Sequence, residues 1–271
     1  MLAPGEDHMK KLLMTGAAGN MGTALRSRIS PLADELLLSD LEEIEVSTTH
    51  ETYMRCDLAD AEAVDALMCD VDAIIHLGGV ASEAPFDMLM SANIVGTYNL
   101  YEAARRHGVK RILLASTNHV VGFYRQDQYV DPSMPMRPDG LYAVSKCYSE
   151  ALARLYYDKF GIETAIVRVG ACWPEPTTIR MLSLWLSFDD LAALVERVFI
   201  APKLGCPVIF GASANSASWW DNSSVSYLGW QPQDNAERFR SECERIHRET
   251  GAPASDRIFQ GGRFTDDPIY R

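Results

Sequence analysis

The apolar run Leu12-Leu13-Met14-Thr15 passes straight into Gly16-Ala17-Ala18-Gly19-Asn20-Met21-Gly22, and a helical pattern over Asn20–Ile29 overlaps and continues it. This order of strand, glycine-spaced turn and helix constrains the chain more than any other feature. Glycine admits positive φ and close backbone approach. A helix opening at the turn aims its free N–H groups and positive dipole end back at it. The G-x-x-G-x-x-G spacing is a variant of the dinucleotide-binding turn, so Gly16, Gly19, Asn20, Met21 and Gly22 are predicted to hold a pyrophosphate. A purely structural tight turn is the competing reading.

The alternation continues through two-thirds of the chain. Strands are predicted at 12–15, 35–39, 52–56, 73–77, 111–115 and 164–169, with helices at 20–29, 61–68, 85–107 and 141–160 between them. Strands alternating with helices imply βαβ units and a parallel sheet covered on both faces. After Val169 the rhythm loosens into a stretch rich in Pro, Thr, Trp and Met at 171–187, then a helix at 189–200 and a strand near 207–210. The expected fold is α/β: a Rossmann-type, doubly wound parallel sheet with a small C-terminal elaboration on the substrate side. Residues 1–8 read as a flexible extension. Residues 9–271 read as one domain, its substrate side built mainly from 171–187 and 205–271.

Charge is distributed unevenly. The 271 residues carry 37 acids and 25 Lys or Arg, a net −12. Thirteen of the acids lie between Asp34 and Asp72, where Arg55 is the one base, so the rest of the chain is neutral. With no basic stripe, nucleic acid is not an expected partner. No apolar run approaches the ~18 residues of a membrane span, and the opening residues have no secretory h-region. The six cysteines are scattered without a C-x-x-C pair. That spacing argues against a zinc site or disulfide framework and for a reduced, cytoplasmic setting. No metal is expected.

Within the acidic stretch, Asp40 ends the second predicted strand about 20 residues beyond the glycines. An acid there suits the adenosine ribose hydroxyls and repels a 2′-phosphate, so NAD is expected rather than NADP. A plain surface acid is the alternative. Asp57 and Leu58 close the third strand, where they are expected to meet the adenine; a helix N-cap role for Asp57 or Asp60 competes.

Three further stretches, His76-Leu77-Gly78-Gly79, Asn93-Ile94-Val95-Gly96-Thr97 and Tyr142-Ala143-Val144-Ser145-Lys146, join the glycine turn in a pattern that resembles the extended short-chain dehydrogenase/reductases. More narrowly, Ala115-Ser116-Thr117-Asn118-His119, Trp173-Pro174-Glu175-Pro176, Arg180-Met181-Leu182-Ser183 and Phe259-Gln260-Gly261-Gly262 resemble the uronate dehydrogenases. The resemblance covers nearly the whole chain. It implies that Leu77, Gly78, Gly79 and Cys172 surround the cofactor, and that the enzyme is a homo-oligomer.

Tyr142 and Lys146 lie one helical turn apart on one face. In the resembled family the Tyr is the base, the Lys lowers its pKa and reaches the nicotinamide ribose, and a Ser or Thr in the slot of Thr117 orients the reacting oxygen. The expected reaction is NAD-dependent oxidation of hexuronic acids (D-glucuronate, D-galacturonate) at C1 to the 1,5-lactone. Arg180 suits the substrate carboxylate, because guanidinium binds it bidentately; a structural salt bridge is its alternative. Asn118 and His119 are expected on sugar hydroxyls. The family has serines where this chain has Ala81 and Ala171, and Ser82 is the candidate replacement for the first. Asn93 either belongs to the family's proton relay or kinks its helix, and Trp219, Trp220 and Trp230 read as core or interface. The alternative functions are an NAD-dependent nucleotide-sugar epimerase or dehydratase, which needs a larger C-terminal domain, and a non-catalytic NAD-sensing module, which would not need the Tyr/Lys pair.

Overall fold

A computed structural model describes residues 9–251 and 254–269. The extension expected at 1–8 lies outside the described residues. Seven parallel strands form one sheet: β1 (Met9–Thr15), β2 (Ala33–Asp40), β3 (Glu51–Arg55), β4 (Ala73–His76), β5 (Arg111–Thr117), β6 (Glu163–Val169) and β7 (Val208–Gly211). Their order is β3-β2-β1-β4-β5-β6-β7. The helices are α1 (Asn20–Ile29), α2 (Ala61–Leu67), α3 (Phe86–Leu89), α4 (Gly96–His107), α5 (Leu141–Phe160), α6 (Met181–Leu184), α7 (Phe188–Ile200) and α8 (Arg240–Thr250).

The side-chain period of two in a strand explains why the central strands read as unbroken apolar runs. Leu12 and Met14 of β1 face one core with Leu36, Leu38, Ile75 and Leu113, together with Leu25 of α1 and Leu191 and Leu194 of α7. Leu13 between them faces the opposite core with Leu37, Ile74, Ile112 and Ile166, under Leu67 of α2, Leu100 of α4 and Leu152 of α5. Both faces of the sheet are therefore covered, as the doubly wound reading requires. The strand order reverses between β1 and β4, and the crevice beyond the C-terminal ends of those strands is where such sheets bind ligands.

The helix expected over 85–107 runs without interruption from Phe86 to His107, with a π-helical segment, Met90–Val95, between α3 and α4. The wider turn carries Asn93 inward, where its Oδ1 accepts from Val80 N (2.8 Å) and its Nδ2 donates to Val80 O (3.0 Å) and Ser145 Oγ (2.8 Å). Asn93 thus pins the loop after β4 to α5. The cap of α2 is Asp60, whose Oδ1 accepts from Glu62 N and Ala63 N, whereas Asp57 accepts from Ala59 N (2.9 Å).

Beyond β6 the chain is held by polar side chains that bridge its irregular segments. Asp190 of α7 accepts from Gln233 N (2.7 Å) and Asp234 N (3.0 Å), and Asn215 binds Trp185 O (2.7 Å) and Ala236 N (2.9 Å). Trp219 and Trp220 are buried beside Phe210, and Trp230 packs at the edge of the first core. The C-terminal segment then returns across the mouth of the crevice.

Candidate active site

A cleft of about 1530 Å³ opens over the C-terminal ends of the strands. Every residue expected at the cofactor, from Gly16 of the turn to Cys172 after β6, lines it. Gly16 has φ +70°, and a Cβ on it would stand 2.6 Å from Gly78 N, so the turn after β1 presses directly on the end of β4. Thr15 stitches this contact: its Oγ1 accepts from Gly78 N (3.3 Å) and lies 2.7 Å from His76 Nδ1. Burial pushes the His76 imidazole down to about 3, which keeps it neutral. With Gly78 N as donor to Thr15, the hydroxyl proton is free to point at Nδ1.

Helix α1 starts at Gly19 without a side-chain cap or an acid in its first turn, which leaves its N–H groups facing the cleft. Asp40 turns back on the glycine turn, its Oδ2 accepting from Ala18 N (2.9 Å) and its Oδ1 from Leu41 N (2.7 Å). Asn20 reaches across the cleft floor to Cys172 O (2.7 Å).

Tyr142 and Lys146 sit in the first turns of α5, and Thr117 ends β5 opposite them. Burial pushes Tyr142 up to about 12; a hydrogen bond with Thr117 opposes that rise and nearby Asp139 adds to it. Lys146 donates to Ala115 O (3.0 Å), and burial pushes its ammonium down to about 8. One turn further, Glu150 accepts from Ser116 Oγ (2.5 Å) and from both Arg168 Nε (3.0 Å) and Nη2 (2.8 Å). This buried cluster fixes α5 against the ends of β5 and β6, one turn from Lys146.

On the substrate side, Arg180 Nε donates to Gln260 O (2.7 Å). With the Asn118 amide oriented so that its nitrogen donates to Val169 O (3.2 Å), its oxygen accepts from Arg180 Nη2 (3.0 Å). Burial lowers the guanidinium pKa to about 10, while Asp256 and Asp139 oppose the fall, so the group stays charged at neutral pH. His119 lies between the rings of Tyr142 (centroids 6.3 Å apart) and Phe264 (4.0 Å). Thr117, Asn118, His119, Tyr142 and Arg180 share the cleft; Ser82 is exposed and is not part of its wall, which Ala81 and Ala171 form instead.

Sequence reasoning missed several groups. Asp139, Glu83 and the cleft-lining Asp256, Arg263 and Phe264 carry no pattern that marks them, because each joins the site only through the fold. The Phe259-Gln260-Gly261-Gly262 run carries part of the resemblance, but the sequence assigns it no role. Among the described residues no three His, Cys, Asp or Glu side chains converge as a metal site requires, and no helix is long and apolar enough to cross a membrane.

Residues 12–172 match the NAD dependent epimerase/dehydratase family. The chain is 54% identical over 267 residues to a uronate dehydrogenase of Agrobacterium fabrum, covering 97% of this chain and 99% of the relative. Among solved structures, a mutant of the uronate dehydrogenase from Agrobacterium tumefaciens complexed with NAD superposes with a TM-score of 0.93 at 52% identity, covering 97% of this chain and 99% of that one. The glucuronic acid dehydrogenase from Chromohalobacter salexigens superposes with a TM-score of 0.92 at 49% identity, covering 96% and 98%.

Proposed function

The chain belongs to the NAD dependent epimerase/dehydratase family, within its uronate dehydrogenase branch, and from that premise we infer that it oxidises hexuronic acids such as D-glucuronate and D-galacturonate at C1 to the 1,5-lactone. The observation that carries the reading is the pairing, in one cleft, of the Tyr142/Lys146/Thr117 set with a half-buried Arg180 whose fork is already braced by Gln260 and Asn118. A sugar acid brings a hydroxyl to the first and a carboxylate to the second.

The residues fit NAD. The side-chain-free turn at Gly16, the uncapped start of α1 and the Asp40 carboxylate beside it suit a pyrophosphate and an adenosine ribose. Asp57 and Leu58 are read at the adenine, and Leu77, Gly78, Gly79 and Cys172 along the nicotinamide half. NAD supplies a cationic nicotinamide that takes up hydride. Tyr142 removes the C1 hydroxyl proton, and Thr117, at the end of β5 in the same cleft, holds the reacting oxygen in line. Lys146, held by Ala115 O, contributes positive charge at the cofactor side of the tyrosine. Arg180 neutralises and orients the substrate carboxylate. Asn118 and His119 take sugar hydroxyls. Ser82, expected to replace the serine absent at Ala81, stands exposed outside the cleft wall and takes no part in this reading.

Residues 9–271 act as one unit, with 171–187 and 205–271 forming the substrate side. Six unpaired cysteines support a reduced, cytoplasmic setting. The exposed apolar side chains Phe86, Met88, Val95, Tyr98, Val144 and Phe160 on α3, the π-segment, α4 and α5 support a homo-oligomer. The test mixes purified protein with NAD and, in turn, glucuronate, galacturonate, glucose and a UDP-sugar, following absorbance of the reduced nicotinamide. Reduction with the uronates is expected. Silence with every uronate overturns the reading, as does a Tyr142→Phe variant with normal turnover.

A further inference from the structure

His119 Nδ1 lies 2.6 Å from Asp139 Oδ2, and both side chains are buried, at 10% and 1% exposure. A carboxylate can only accept, so the shared proton belongs to Nδ1 and the lone pair of the neutral ring belongs to Nε2. The backbone is shaped around this carboxylate. Gly122 and Gly261 come from segments far apart in sequence, and a Cβ at either would collide with Asp139 Oδ2. The two are tied together by Gly261 N donating to Gly122 O (2.8 Å), and Gly122 N and Asp139 N both donate to His119 O (3.0 and 3.3 Å). Within the Phe259-Gln260-Gly261-Gly262 run, Gly261 therefore leaves room for the acid that holds the histidine.

We propose that Asp139 is a positioning residue for the oxidation: it fixes His119 in the Nδ1–H tautomer, so that His119 offers an acceptor at Nε2 to a hydroxyl of the bound sugar acid. The proposal rests on the uronate-oxidising reading and adds to it the direction of this hydrogen bond. An acceptor at this point favours a hydroxyl and disfavours any group without a proton to give. The surrounding charges keep the ring in that state. Asp139 from the loop before α5 and Asp267 from the C-terminal segment favour protonation; Arg180 and burial oppose it, and burial dominates, so the imidazole pKa falls below its usual value. The rings of Tyr142 and Phe264 also pack against His119, which lines the cleft.

The test has a spectroscopic and a kinetic arm. Two-bond ¹⁵N–¹H correlation on histidine-labelled wild-type protein, with His119 assigned from the spectrum of His119→Gln, is expected to show the proton on Nδ1; a proton on Nε2 overturns the proposal. Asp139→Asn is expected to raise the KM for glucuronate by up to roughly tenfold, the loss typical of a hydrogen bond between neutral groups, with the Kd for NAD unchanged. In a His119→Ala background the same change should alter KM by no more than about twofold, since residues acting through one another do not add. A wild-type KM in Asp139→Asn, or a full additional loss in the His119→Ala background, overturns the proposal. If Asp139→Asn fails to fold, the wild-type tautomer decides. If wild-type protein reduces NAD with no uronate, it is the functional reading that fails, whichever tautomer is found.

Discussion

The Glu83 carboxylate accepts the backbone N–H of Tyr142 at 3.0 Å through one oxygen and that of Leu141 at 3.0 Å through the other. Helix α5 starts at Gly140, which has no side chain to cap it, so two of its orphan donors are satisfied by a residue 59 positions earlier. The same contact ties the loop after β4 to the turn that carries Tyr142. Glu83→Ala should lower stability by ~1–2 kcal/mol, as loss of a helix cap and its dipole interaction does. It should also lower kcat more than NAD affinity. Thermal unfolding and steady-state kinetics check both, and an unchanged kcat would show that the loop holds its place without this contact.

Lys146 should weaken the fold in which it is buried. Its ammonium is buried, and its pKa falls from 10.5 to about 8. Below about pH 8 folded and unfolded chains both hold the proton, and the folded one bears the full desolvation. Between about 8 and 10.5 the unfolded chain holds more protons, so stability from this group rises with pH. Lys146→Met should therefore abolish most activity yet stabilise the protein at pH 7, by up to ~3 kcal/mol. The gap in melting temperature between variant and wild type should narrow as pH climbs toward 10.5.

Asp40 joins the acidic stretch to the cofactor cleft by accepting the Ala18 N–H of the glycine turn. Asp40→Ala should raise the Kd for NAD roughly 10- to 100-fold, the range of a charge-assisted hydrogen bond, and should raise the affinity for NADP relative to NAD. Titration of nucleotide binding at two salt concentrations separates this local contact from the remaining charge of residues 34–72, since salt screens the exposed acids and leaves a hydrogen bond.

The sheet was legible because buried parallel strands are written as apolar runs, and all seven strands lie where such runs predict them, to within a few residues. The cofactor turn was legible for a similar reason: glycine spacing is a local record of close backbone approach. The π-helical segment at Met90–Val95 was not, because the Val80 backbone that Asn93 binds from it comes from another loop, and no local pattern records that partner. Asp139 and Glu83 escaped in the same way. Each is an ordinary loop acid whose role depends on a group brought near by the fold. Arg180 lies between these cases, since its chemistry fitted a carboxylate but its bracing by Gln260 and Asn118 is visible only in three dimensions.

That bracing makes Arg180→Lys a severe change. Of the guanidinium nitrogens, Nε is committed to Gln260 O and Nη2 to Asn118, which aims the rest of the fork into the cleft. A lysine ammonium is a single point of charge. It can hold the Gln260 carbonyl or reach a carboxylate, but it cannot do both in the planar geometry that a bidentate pair needs. The variant should keep its NAD affinity and raise the KM for glucuronate by about tenfold or more, in line with a lost charge-assisted hydrogen bond. Any turnover of an uncharged sugar should hardly change, since it makes no use of the fork. Comparing glucuronate with glucose in both proteins therefore isolates the carboxylate contact. An equal loss on both substrates would mean that Arg180 shapes the cleft through Gln260 and Asn118 without recognising the acid.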